Sequence, residues 1–377
     1  MVKLNEVKIN SFRGVSDLVL SNIGEVNLIV GDNNCGKTSI LEAIQLLRAP
    51  SDLNNALRVA RIRDNYMGFS RLPIFDNFIN MFPVFKNYLS IECSYHMEEG
   101  MIDLWENASI KIVGEIQKVM IDYNELRNRM PRSVRNYMVV PDEAETDEFN
   151  GHLTAIIGGQ EKETNIRVNK FTNITGRTIG AVNLIKMNYL SPIDHMTGST
   201  FNRIIRNEKY KEICIKILQL FDEDIIDLIW LKDDNPVRAV EYVKNKKIGL
   251  MPLSTYGDGI KKVLSIANAI AQSSDGVLLI DEIDIAIHAK YYDDIFRFIM
   301  KAAKQYNVQL FISTHSIEAV DGLLKTQVEN EIYNEENDPI RVITLRKDKD
   351  VNKTFSRTMT GKDVYINREK FNFEVRI

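Results

Sequence analysis

An α/β fold built on a largely parallel sheet is what this sequence predicts, and three stretches predict it. "VNLIVGDNNCGKTSILEAIQLL", from Val26 to Leu47, reads as a buried strand, a glycine-bounded turn and a helix. "GVLLIDEID" is a second apolar run, and it closes on two carboxylates. "QLFISTHS", further on, is a third run that ends in Ser313, Thr314 and His315. Strands covered by helices on both faces read as continuous apolar runs of this kind, without polar alternation.

Composition narrows the field. The chain has 377 residues, 44% hydrophobic and 27% charged, which suits one large or two modest domains with ample core. No apolar run reaches membrane-spanning length, and the start "MVKLNEVKINSF" alternates instead of setting a basic segment before an apolar one. A cytoplasmic protein with no membrane contact is the expectation. Cys35, Cys93 and Cys214 are far apart and odd in number, which argues against a disulfide framework or a zinc site. A net charge of -4 supplies no global basic field, so contact with DNA requires a local patch or a partner.

Taken in order, the first stretch carries Gly31, Gly36, Lys37 and Thr38 in the pattern G-x-x-x-x-G-K-[ST]. That pattern has meaning only between a strand and a helix. Val26–Val30 supplies the strand; Ile40, Leu41, Ile44 and Leu47 recur at helical spacing until Pro50 stops them. In such a turn the backbone N–H groups of Asn33, Asn34, Cys35, Gly36, Lys37, Thr38 and Ser39 face a phosphate, which the helix dipole also favours. Lys37 would reach the β- and γ-phosphates of a bound nucleotide, and the Thr38 hydroxyl would ligate Mg²⁺. The plainer alternative is a glycine turn with an incidental lysine.

The middle is less regular. "YLSIECSYHM" and "MIDLWENASIKIVGEI" read as antiparallel strands of a β lobe. From Lys118 to Gly180 the pattern loosens. There the basic cluster Arg127, Arg129, Arg132 and Arg135 is either a phosphate-contacting patch for DNA or a solvated face balanced by the acidic "PDEAETDEF". Asn188–Met196, "NYLSPIDHM", is a candidate lid strand and loop. Ser199–Asp222 predicts one long amphipathic helix, packed on its own domain or offered to a partner. No internal repeat and no low-complexity linker interrupts the chain.

The C-terminal motifs complete the set. In "PLSTYGDGIKKVLSIANAIA", Ser254, Gly257, Asp258 and Gly259 form a turn, and Ile260, Val263, Leu264 and Ala267 a helix face. This is a second phosphate cradle or a well-capped helix. Two cradles in one chain cannot both enclose one nucleotide, so a two-fold dimer that pairs the second cradle of one copy with the first of the other is the economical arrangement. Val277–Ile280 delivers Asp281 and Glu282 to the carboxyl edge of the sheet, where open α/β sheets bind ligands. Asp281 is placed to hold Mg²⁺ and Glu282 to act as base toward water. Tyr291, Tyr292, Ile295, Phe296, Ile299 and Ala302 form the helix that links this strand to Leu310–Ile312, so the two strands should be parallel. His315 is a γ-phosphate sensor or an ordinary capping histidine.

"SFRG", "GDNNCGKTS", "LSTYGDGIKK", "LLIDEID" with His288 behind it, and "ISTHS", in that order, resemble the ABC-type ATPase heads of the RecF, SMC and OLD (overcoming lysogenization defect) group. Within it the resemblance is to OLD-like AAA-family ATPases of prokaryotic defence systems. The resemblance implies an α/β P-loop NTPase of ABC-head type, a mixed sheet with an antiparallel β lobe and a helical insertion. Residues 1–117 and 246–377 would form the head and 118–245 the insertion. It implies an Mg-ATP sandwich between two copies: Lys37, Thr38, Asp281, Glu282 and His315 from one, the Ser254–Gly259 turn from the other. Arg13 falls where such heads bring an arginine near the nucleotide, although a surface arginine in a turn accounts for it equally. The implied task is ATP hydrolysis that controls a separately encoded effector, a nuclease, in anti-phage defence or DNA maintenance.

The departures are specific. "STYGDG" is not LSGGQ, no Q-loop is evident, and no long heptad region provides a coiled-coil arm. The Toprim nuclease domain of OLD proteins is not expected; "DKD", Asp348–Asp350, matches its DxD by letters but sits between two strand-like runs and reads as a hairpin. Two other readings stand beside the ATPase: a nucleotide-gated scaffold with little turnover, and a small-molecule kinase, for which the Ser254 turn and His315 have no use.

Overall fold

The computed structural model describes residues 2–66, 72–84, 86–99, 102–122, 143–172, 174, 183–197, 201–232, 239–328, 338–348, 353–371 and 373–375. The chain opens with β1 (Val2–Phe12), β2 (Val15–Leu20) and β3 (Val26–Gly31), then α1 (Lys37–Leu46), α2 (Leu53–Ala60) and α3 (Ile74–Ile79). Long strands follow: β4 (Tyr88–Glu99), β5 (Ile102–Asp122), β6 (Glu143–Ile157) and β7 (Gln160–Asn169). After β8 (Met187–Leu190) and α4 (Asp194–Thr197) come α5 (Glu208–Leu218), β9 (Ile225–Lys232), β10 (Ala239–Asn245) and β11 (Gly249–Pro252). The remainder is α6 (Asp258–Gln272), β12 (Val277–Ile280), α7 (Tyr292–Gln305), β13 (Gln309–Ser313), α8 (Ile317–Val328), β14 (Ile340–Asp348), β15 (Lys353–Thr360) and α9 (Gly361–Phe371).

The central sheet has the order β15-β14-β3-β13-β12-β8. Its pairs from β14 through β8 are parallel, and β15 returns antiparallel at the edge. Alternate residues of the buried strands feed two cores. Ile29, Leu279, Phe311 and Ile343 face one, shared with α1, α2, α3 and the antiparallel lobe. Leu28, Val30, Leu278, Ile280, Leu310 and Ile312 face the other, beneath α6, α7 and α8. Two covered faces explain the unbroken apolar runs of β3, β12 and β13. Burying such strands on both sides contributes roughly 1.5–3 kcal/mol per large side chain before entropy is charged against it.

The lobe is one antiparallel sheet, β2-β1-β4-β5-β6-β7, and β9–β11 form a small third sheet. Gln309 joins the lobe to the central sheet: its amide donates to Leu4 O and accepts from Leu4 N, at 2.8 and 2.9 Å.

Two expectations are corrected, and a third is made more definite. The segment 118–245, expected to be a helical insertion, holds the end of β5, all of β6, β7, β8, β9 and β10, and the helices α4 and α5. Part of this strand structure has no periodic signal, because residues 115–118 of β5 and 160–163 of β7 are exposed in succession and no alternation marks a buried face there. The long helix expected over Ser199–Asp222 is only α5, since Asn207 caps it by accepting from Tyr210 N. The candidate lid at Asn188–Met196 begins as a strand of the central sheet, β8 being hydrogen-bonded to β12 with Leu190 opposite Ile280. Arg127, Arg129, Arg132 and Arg135 lie outside the described residues, as do Lys349 and Asp350. The pairing of β14 with β15 up to Asp348 opposite Lys353 is that of a hairpin.

Candidate functional site

The site grows from the carboxyl edge of the central sheet. β3, β13 and β12 are consecutive neighbours and parallel, so the turn after β3, the residues after β13 and the carboxylates after β12 emerge side by side. The turn needs its glycines. Gly31 has φ +146, and a Cβ there would lie 2.4 Å from Leu345 O; Gly36 has φ +105. Side chains are strained or excluded at both. Gly36 is the N-cap of α1 and offers no side-chain cap, which leaves the first-turn N–H groups of α1 for an anion. Behind the turn, Thr354 of β15 donates to Cys35 O at 3.1 Å, so the edge hairpin braces it.

Lys37 is buried and folded back on its own loop. Its ammonium donates to Gly31 O at 2.7 Å and Asp32 O at 2.9 Å. Those carbonyls hold the charge in the place a phosphate would otherwise draw it.

At the end of β12, Asp281 is buried and both its oxygens are engaged. Ser313 Oγ donates to Oδ1 at 2.5 Å and Tyr189 OH to Oδ2 at 3.0 Å. The same Ser313 hydroxyl accepts from Glu282 N at 2.9 Å, so one side chain fixes both carboxylate positions. Glu282 has φ +47, an uncommon value for a residue with a side chain, and its backbone turn points it away from the strand direction. Burial pushes the Glu282 carboxyl up from its ordinary value, Asp281 and Asp284 add to that, and His315 and Lys37 oppose it. Thr314 Oγ1 donates to Asp284 Oδ1 at 2.5 Å, and His315 Nε2 lies 3.9 Å from Asp284 Oδ2. Thus the residues that follow β13 clasp the loop that follows β12.

A second ionic group stands on the other side of α1. Glu42 is fully buried, and Arg63 grips it with two bonds, Nε to Oε1 at 2.8 Å and Nη2 to Oε2 at 2.9 Å, while also donating to Ser39 Oγ. Arg13 Nε lies 2.8 Å from Glu42 Oε2, and Arg13 Nη1 donates to Asn80 O. Arg13 is therefore a largely buried partner of Glu42, with its φ of +50 at the β1–β2 turn. It also lines a cavity of about 990 Å³ together with Asn34, Gly36, Ser39, Phe82 and Phe149. The cavity opens beside the turn and has room for the base and ribose of a nucleotide.

Thr38 and Asp281 offer hard oxygen ligands suited to Mg²⁺, and the uncapped helix start suits the phosphates, so the residues present fit Mg-ATP. Ser254, Gly257, Asp258 and Gly259 lie elsewhere. Gly257 is the uncapped N-cap of α6, the turn is exposed, and among the described residues no hydrogen bond ties it to Gly31–Ser39. His288 caps a short turn by accepting from Lys290 N. Arg63, Glu42 and Thr354 carried no motif by which the sequence could have assigned them, and Tyr189 lay in the candidate lid segment without a role of its own. Ser313 and Thr314 alone had a signal, their place directly after an apolar strand.

The family model described as AAA ATPase domain matches residues 2–320. A protein of Helicobacter pylori named ATP/GTP phosphatase is 21% identical over 350 residues, which is 84% of this chain and 86% of that one. Among solved structures, an SMC head bound to the C-winged helix domain of ScpA aligns over 96% of this chain and 99% of its own, at 12% identity and a TM-score of 0.49. The recombination mediator RecF aligns over 95% and 98%, at 11% identity and a TM-score of 0.46.

Proposed function

Because the chain belongs to the AAA ATPase domain family, we propose that it binds Mg-ATP and hydrolyses it in a two-fold sandwich of two copies, and that this cycle controls a partner. The observation that supports this most is the convergence of three parallel strand ends: the uncapped turn of Gly31–Ser39, the hydroxyl-held Asp281 and Glu282, and the Ser313–His315 segment. Lys37 leaves its loop carbonyls for the β- and γ-phosphates, and the first turn of α1 donates its N–H groups to them. Bound Mg²⁺, held by Thr38 and Asp281, would offset phosphate charge. Glu282 takes the proton of the attacking water, a role for which a raised carboxyl is suited, and His315 faces the γ-phosphate. Base and ribose occupy the cavity beside Arg13.

The exposed Ser254–Gly259 turn has no nucleotide of its own within the chain, which favours its use by a second copy. As to the wider task, the reading is a cytoplasmic ATPase of OLD-like type. Its assembly would license a separately encoded effector, a nuclease, in anti-phage defence or DNA maintenance, with DNA reached through local basic patches. Fold alone does not fix that step. Light-scattering mass of Glu282→Gln with and without Mg-ATP tests the sandwich. ATP should convert monomer to a dimer or larger species, and Lys37→Ala should bind no nucleotide. A Glu282→Gln protein that binds ATP yet keeps its mass rejects the sandwich; nucleotide binding unchanged in Lys37→Ala rejects the site itself.

A further inference from the structure

Lys262 lies one helical turn into α6 from Asp258 and is fully buried. An ammonium in such a place costs several kcal/mol unless charge of opposite sign is close. Its hydrogen bond goes to the loop after β8, Nζ donating to Pro192 O at 3.3 Å. That loop runs beside the acids, since Leu190 O, two residues before Pro192, accepts from Asp281 N at 2.9 Å; Asp194, Asp281, Asp284 and Glu282 act on Lys262, and His195 faces it too. Burial pushes the ammonium down to about 8, and those carboxylates pull it back up. Asp281 is bonded to Ser313 and Tyr189, Asp284 to Thr314, and Asp194 to Ser191 N; among the described residues none of them forms an ion pair with Lys262. Lys262 therefore acts on them through its field and not by a direct salt bridge. It also arrives from the opposite side of the central sheet to Lys37, since α6 and α1 cover opposite faces.

We propose that Lys262 is a positioning residue, a built-in counter-cation of the Asp281–Glu282–Asp284 group that acts alongside Lys37 and His315 and is delivered by the helix that starts from the exposed Ser254–Gly259 turn. The proposal rests on reading that group as the metal and catalytic carboxylates. It has two consequences. In the absence of metal, the ammonium lets three acids gather at one strand end, and it opposes any divalent cation that arrives without a nucleotide. Any movement of α6 when its first turn meets a second copy is passed one turn along to the carboxylates of the same subunit. The turn used in one site and the acids used in the other are thereby joined by a single rigid helix.

The test compares wild type with Lys262→Met, which keeps the length of the side chain and removes its charge, and with Lys262→Gln as a second neutral variant should the first not fold. The primary readout is Mn²⁺ binding without nucleotide, by electron paramagnetic resonance. Loss of a buried positive charge beside three acids should tighten Mn²⁺ about tenfold in either variant. Steady-state hydrolysis should show kcat reduced about tenfold or more with KM for ATP within about threefold. A role in packing alone predicts Mn²⁺ affinity unchanged or weakened, and that result overturns the proposal. If wild type shows neither ATP binding nor turnover, the ATPase reading falls, while the Mn²⁺ comparison still decides the role of Lys262.

Discussion

Ser313 shows how much of this site rests on one hydroxyl. It donates to Asp281 and accepts from the backbone of Glu282, so removing it frees both carboxylates at once. Ser313→Ala should cost about 1–2 kcal/mol of stability and lower kcat at least tenfold, with nucleotide affinity within a few-fold, as denaturant unfolding and steady-state kinetics would show. Nothing in "ISTHS" announced this, because the partners are supplied by a strand 31 residues away in sequence. Glu282 carries a second prediction at this scale. Burial and the neighbouring Asp281 and Asp284 favour its protonated form. In the proposed role of base it must be ionised, so the acid limb of kcat/KM should lie above the ordinary glutamate range, with activity lost as pH falls through it. For stability the sign is the reverse. A raised folded value contributes stability at low pH that disappears as pH rises through it, so Glu282→Gln should melt at a higher temperature than wild type at neutral pH.

At the scale of elements, α1 is held by ions as well as by its apolar face. Its Glu42 is gripped by Arg63 from the turn after α2 and approached by Arg13 from the β1–β2 turn. Glu42→Ala would leave two guanidiniums facing each other over a buried gap. The expected loss is roughly 3 kcal/mol, moderated because Arg63 is partly exposed, and chemical denaturation would measure it. Legibility followed burial on both sides. β3, β12 and β13 were readable because both faces are covered, and α1, α6 and α7 because one face is. The end of β5 and the start of β7 were missed because four successive residues are exposed on each, which removes the contrast on which periodicity depends. Among candidate residues, those belonging to a spaced motif were found. Tyr189, whose partner is 92 positions on, has meaning only once the sheet is assembled.

At the scale of the whole molecule, the central sheet is assembled from distant parts of the chain. β3 lies between β13 and β14, and Thr354 braces Cys35 across 319 positions. A fragment of residues 1–305, which contains the entire Gly31–Ser39 motif, should therefore bind no ATP by equilibrium dialysis, whereas a co-expressed 306–377 fragment that pairs with it should restore binding. Retained binding by the first fragment alone would show that the turn is self-sufficient.

The same strand order has a consequence in time. During synthesis the Gly31–Ser39 sequence leaves the ribosome well before β13 and β14, the strands that flank β3, and long-range parallel pairing is slow to close. Until β13 and β14 emerge, β3 is an apolar edge in search of neighbours, exposed to whatever else in the cell can add a strand. A nascent chain therefore carries the Gly31–Ser39 motif long before the neighbouring strands that would hold it in place.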